Sequence, residues 1–99
     1  MLPLTIWYRY IKKQEKHNGI IKWNTSGNSF FVTNTEEFIK ILPKYFKTKN
    51  YSSFVRQLNM YDFHKIKNDE GYNEFKHILF KRDQVDDLYK IKRKVNEYS

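Results

Sequence analysis

The stretch SFVRQLNMYDFHK, residues 53–65, constrains this chain more than any other. Phe54, Val55, Leu58, Tyr61 and Phe63 are large and apolar or aromatic, yet Arg56 and Gln57 stand among them. On a helical wheel at about 100° per residue, Tyr51, Phe54, Leu58 and Tyr61 gather on one side, with Val55 at its margin. The opposite side holds Ser53, Arg56 and Met60, flanked by Ser52 and Gln57. One face of a helix over residues 51–62 is therefore built to be buried. The other is short-chained, polar and singly cationic.

The flanking segments decide what such a helix belongs to. Before it, Asn34 and Glu37 have the spacing of a capping box, opening a helix that carries Phe38, Leu42, Tyr45 and Phe46 at helical intervals. Pro43 removes a backbone donor and predicts a kink or bulge there. KTKN, residues 47–50, forms the connection. After the helix, HKIK (64–67) reads as a strand, NDEG (68–71) as a turn and NEFKHILF (73–80) as the returning strand. Upstream, Leu4, Trp7 and Ile11 give a helix over residues 4–14. IIKWNTSGNSFFV gives two short strands around a turn in which Gly27 tolerates positive φ. Downstream, Asp83 is expected to cap a short helix over QVDDLYKIKRK. A helix pair joined by a short turn and followed by a hairpin predicts an α+β winged helix-turn-helix, with three bundled helices, a small antiparallel four-stranded sheet and a short wing. At 99 residues the chain fits one domain, residues 1–99, with 83–95 as a closing helix or the start of a linker.

Charge points to the partner. The net charge is +8, from 19 basic and 11 acidic side chains. Such an excess favours a polyanion, nucleic acid or an anionic membrane surface. Lys44, Lys47 and Lys49 precede the amphipathic helix, no acidic residue lies between 38 and 61, and Lys65 and Lys67 follow it. An arginine on an outward stripe can place two parallel hydrogen bonds on the O6 and N7 acceptors of guanine. Flanking lysines beside phosphates set register rather than sequence. The plainer reading is a solvated helix face.

Other functions find less support. There is no glycine-rich phosphate loop, and the acidic pairs Glu36–Glu37 and Asp86–Asp87 fall in first turns of helices, where they complement the dipole. The chain has no cysteine, and His17, His64 and His77 lack metal-ligand spacing, although His64 and His77 can meet across the hairpin. Neither an enzyme nor a metal site or cofactor is expected. No apolar run is long enough to span a bilayer, and Asp86 and Asp87 argue against a basic membrane helix near the C-terminus. The start lacks the order of a signal peptide, and an intracellular, soluble protein is expected.

The motifs also carry a resemblance. SFVRQLNMYDFHK closely resembles the SFVRQLNMYGFxK signature of the heat shock factor DNA-binding domain. WNTSGNSFFV is similar to that family's WsxxGxSF hairpin, LPKYFKTKNYSSFVRQLN to its LPxYFKHxNxxSFVRQLN stretch, and FKHILFKRDQVDDLYKIKRK to its FxHxxFxRxxxxLLxxIxRK ending. Together they span nearly the whole chain in family order. The resemblance implies a nuclear transcription factor that binds double-stranded DNA at inverted nGAAn repeats, beside other copies of itself. It implies that Arg56 reads the guanine, supported along the helix by Ser53, Gln57 and Asn59. It places Tyr45, Lys47, Tyr61, Lys65 and Lys94 near the DNA backbone. Three departures stand out. Asp62 replaces the family glycine, a position that Asp tolerates well if φ is positive. The wing is very short. Leu88, Ile91, Val95 and Tyr98 keep 3-4-3 spacing over too few residues for the family's trimerising coiled coil. The alternative is a winged helix that presents the same surface to a protein, without base-specific DNA binding.

Overall fold

Buried aromatic side chains organise the molecule, and every secondary-structure element except the exposed strand over residues 64–67 contributes to one core cluster. The computed structural model describes residues 4–14, 19–46 and 50–93, except for the Tyr45 side chain. The first helix, α1 (Leu4–Gln14), buries Leu4, Trp7, Tyr8 and Ile11, one stripe at i, i+3, i+4 and i+7. Strands β1 (Ile21–Trp23) and β2 (Ser29–Val32) follow, then helices α2 (Thr35–Phe46) and α3 (Tyr51–Met60), strands β3 (His64–Lys67) and β4 (Asn73–Lys76), and a 3-10 helix (Val85–Lys90). The four strands form one antiparallel sheet in the order β1-β2-β4-β3. This is the expected winged-helix arrangement.

Trp7 lies at the centre, its ring 5.0 Å from Phe46, 5.6 Å from Phe38 and 5.7 Å from Phe54. Phe54 in turn lies 5.8 Å from Phe75 on β4. The edge-to-face geometry of these contacts adds to the burial of large apolar surface. In this way α1, α2, α3 and the sheet share one core.

Helix α2 contains Pro43 and continues to Phe46, with Leu42 and Phe46 buried on either side of the proline. Three local expectations change. The capping box is half made: Asn34 Oδ1 accepts from the Glu37 N–H at 3.1 Å, but the Glu37 carboxylate pairs with Lys40 at 3.0 Å. Strand β4 ends at Lys76 rather than at residue 80, because His77 turns the chain. Its Nδ1 accepts from the Leu79 N–H at 2.9 Å, and the Phe80 N–H donates to the His77 carbonyl at 3.1 Å. Finally, Asp83 is no helix cap. It has φ +66, and its N–H donates to the Tyr8 hydroxyl at 2.8 Å. The short 3-10 helix starts after Gln84, which makes no side-chain capping bond.

Gly27 has φ +75, and a Cβ there would approach the Arg82 Cβ to 3.1 Å. Its carbonyl accepts from the Arg82 N–H at 2.8 Å, tying the β1–β2 turn to the chain leaving the sheet. The wing turn is equally tight. Asn68 Oδ1 accepts from the Glu70 and Tyr72 N–H groups at 3.0 and 2.9 Å, and the Asn68 N–H donates to the Tyr72 carbonyl at 2.9 Å.

Candidate nucleic-acid interface

Helix α3 is held at both ends and along one side. At its start Asn50 is extended, and its side chain accepts from the Ser52 and Ser53 N–H groups at 2.8 and 3.3 Å. Two otherwise orphaned donors are thereby satisfied. Phe54 and Leu58 are fully buried, and Tyr51 and Val55 are half-buried beside them. Asn73 on β4 donates to the Tyr51 hydroxyl at 3.1 Å, locking the first turn of α3 to the sheet. Burial pushes the Tyr51 hydroxyl above its ordinary pKa of 10.0, with the Asn73 bond acting in the opposite sense.

The other end explains Asp62. The Phe63 N–H donates to the Leu58 carbonyl at 2.9 Å, and the Asp62 N–H donates to the Asn59 carbonyl at 3.1 Å. These are the two reversed bonds of a Schellman motif, which places the residue after the C-cap in the left-handed region. Asp62 occupies it, with φ +69. The accompanying apolar contact has its two members in the core, Leu58 and Phe63. A glycine fits this position at no steric cost, and aspartate is among the side chains that tolerate it. The substitution therefore leaves the helix stop intact and adds a negative charge at its end. Asp62 Oδ1 lies 3.9 Å from His64 Nε2.

The outward stripe is narrower than the wheel predicts. Ser52, Arg56 and Asn59 are exposed, whereas Ser53, Gln57 and Met60 are half-buried. Arg56 keeps its central place. Ser52, a flanking residue on the wheel, joins the centre, and Ser53 moves to the margin. The spacing of four and three residues through Ser52, Arg56 and Asn59 is the signal that identifies the centre of the stripe.

The sheet sorts the basic residues that follow. Lys65 stands opposite Phe75 in the β3–β4 register, and Lys67 stands opposite Asn73. Directly paired residues share a face of the sheet. Phe75 contacts Phe54, and Asn73 contacts Tyr51, so Lys65 and Lys67 belong to the face that carries α3. Tyr61 is half-buried at the C-cap, and Lys44 is exposed near the end of α2. The Tyr45 side chain, Lys47, Lys49 and Lys94 lie outside the described residues, as does His17. Among the described residues, no three His, Cys, Asp or Glu side chains gather to hold a metal. No helix among them is long and apolar enough to cross a membrane.

Comparison with known proteins places this arrangement in a family. The model for the HSF-type DNA-binding family matches residues 4–94. Transcription factor SKN7 of Chaetomium thermophilum is 44% identical over 97 residues, covering 88% of this chain and 12% of that protein. Heat shock factor protein 2 of Homo sapiens is 47% identical over 94 residues, covering 84% of this chain and 18% of that protein. The chain thus spans less than a fifth of the length of these relatives. The crystal structure of Chaetomium thermophilum Skn7 with SSRE DNA superposes with a TM-score of 0.82 at 43% identity, covering 95% of this chain and 100% of that one. The same protein with HSE DNA gives 0.78 at 40% identity, covering 91% and 97%. With its motifs in order, its sheet and helices superposable and the match running almost end to end, the chain belongs to the HSF-type DNA-binding family.

Proposed function

We propose that this chain is the sequence-specific, double-stranded-DNA-binding domain of a nuclear transcription factor, and that it reads inverted nGAAn repeats by laying α3 in the major groove. The observation that carries this reading is the exposed Ser52, Arg56, Asn59 stripe on a helix whose opposite side is fixed in the core by Phe54 and Leu58. A guanidinium on a rigid helix is preorganised for the paired acceptors of guanine. Asn59 reaches base edges beside it, while Ser53 and Gln57 act from the margin. Lys65 and Tyr61 hold phosphates from the α3 side of the sheet. Tyr45, Lys47 and Lys94 take the same role through the family resemblance. Solved structures of relatives with SSRE and HSE DNA support the reading. Residues 1–99 serve as one binding unit, and inverted repeats seat a second copy of the chain alongside the first.

Fluorescence anisotropy at two salt concentrations tests the proposal. Duplexes carrying inverted nGAAn repeats are expected to bind more tightly than scrambled duplexes. Lys65→Ala is expected to weaken both alike and to reduce the salt slope by about 1, the value of one phosphate contact. Equal affinity for the two duplexes would exclude base readout and leave the surface to a protein partner.

A further inference from the structure

A second polar site lies on the other face of the sheet. His64 on β3 pairs directly with Lys76 on β4, one register step from Lys65 and Phe75. Side chains alternate along a strand, so His64 and Lys76 project away from α3. There they border a cleft of about 370 Å³ lined by Asn28, His64, Lys76, His77, Ile78 and Lys81.

The hydrogen bonds around this cleft fix which polar atoms remain to face a ligand. Asn24 Oδ1 accepts from the Asn28 and Ser29 N–H groups at 3.0 and 3.4 Å, so the other branch of its amide is the donor. That donor, Asn24 Nδ2, binds Asn28 Oδ1 at 2.8 Å. That bond fixes which branch of the Asn28 amide is the oxygen, and its NH₂ group is left to donate. His77 follows the same logic. Its Nδ1 accepts from the Leu79 N–H at 2.9 Å, so the neutral ring carries its proton on Nε2. Lys76 and Lys81 are donors only. His64 donates through one ring nitrogen when neutral and through both when charged, and it lies 3.9 Å from Asp62. No carboxylate lines the cleft. Glu74, the acidic residue on the same face of β4, accepts from the Ser29 hydroxyl and from Asn68 Nδ2. Two lysines, an asparagine with a donor NH₂ and a histidine with a donor N–H thus line one cleft, and among the described residues none of these four donor groups has an assigned acceptor. Such a set matches a ligand that is all acceptor, doubly charged and rich in oxygen.

We propose that the cleft between the β1–β2 turn and the end of β4 is a phosphate-binding site, with Lys76 and Lys81 as charge partners and Asn28 and His77 as neutral donors. The phosphate comes either from a free phosphate compound or from a DNA backbone that passes this face. The site is separate from the α3 stripe and does not depend on base readout.

The test follows the ring signals of His64 and His77 by NMR at constant pH and ionic strength, with pyrophosphate as the probe and chloride as the control. Pyrophosphate is expected to shift both histidines saturably. The double variant Lys76→Ala/Lys81→Ala is expected to weaken that binding about tenfold or more while keeping the fold, since two charge-assisted contacts are lost. Repeating the titration with a bound nGAAn duplex distinguishes the sources. Competition assigns the site to a backbone phosphate, and simultaneous binding assigns it to a free one. Because the first arm contains no DNA, a failure of duplex discrimination leaves it standing. Shifts that do not saturate, that chloride reproduces, or that survive unchanged in the double variant would overturn the proposal.

Discussion

Two segments carry similar sequence signals and fold differently. Residues 51–62 and 84–94 both show apolar residues at helical spacing with polar residues opposite. The first becomes a ten-residue α-helix, and the second a six-residue 3-10 helix ending at Lys90. Periodicity is common to both, so it does not decide the outcome. The ends do. Helix α3 has a side-chain cap at Asn50 and a Schellman stop through Asp62 and Phe63. The C-terminal segment has no side-chain cap at its start, and Asp83 turns into the left-handed region while its N–H reaches Tyr8. Core contacts differ as well. Phe54 touches rings from α1, α2 and β4, whereas the 3-10 helix buries Leu88, followed by Ile91. A short helix needs its termini satisfied before a stripe can orient it.

The largest test of this contrast is truncation of the two anchors. Phe54→Ala is expected to cost about 3–5 kcal/mol of folding stability, and Leu88→Ala nearer to about 2 kcal/mol, measured by urea denaturation. Equal losses would show that the C-terminal segment is as integral to the core as α3.

A smaller effect is expected at the ends. Asn50→Ala removes the cap and is expected to cost about 1 kcal/mol, while Gln84→Ala stays within about 0.5 kcal/mol. Asp62→Ala puts a Cβ without hydrogen-bonding ability at φ +69 and is expected to cost about 1 kcal/mol. Asp62→Gly is expected to keep the motif. A neutral result for Asn50→Ala would mean that packing alone, rather than its cap, makes α3 helical.

The smallest effect is electrostatic and lies where β4 turns. Burial lowers the His77 pKa from its ordinary value of 6.5, nearby Asp62 raises it and His64 lowers it further. The unfolded chain therefore binds a proton more readily than the folded one. Stability is expected to fall as pH drops below about 6.5 and to be fully regained above it. Thermal unfolding from pH 5 to 8 measures this, and His77→Gln is expected to flatten the acid slope.

Much of this architecture is legible from residue order. The spacing of Leu4, Trp7 and Ile11 defines α1, and the hairpin signals around Gly27 and Asn68 define the turns. The basic run and the family motifs by themselves point to the α3 face. What escapes the sequence depends on partners distant in the chain. Asp83 looks like a helix cap until Tyr8, 75 residues away, accepts its N–H. NEFKHILF looks like one strand until the His77 ring bonds to Leu79 and ends it. The wheel alone centres the stripe near Ser53, because it carries no information about what half-covers Ser53, Gln57 and Met60. The cleft on the other face of the sheet is likewise invisible, since its lining comes from residues 28, 64, 76–78 and 81.

The central claim is that an arginine on a fixed helix reads a base. Its most direct measurement compares wild-type protein and Arg56→Ala on nGAAn and scrambled duplexes at one fixed salt concentration. The account predicts that the substitution costs about 1–3 kcal/mol on the nGAAn duplex and erases most of the preference over the scrambled one. A preference that survives intact in Arg56→Ala would contradict it.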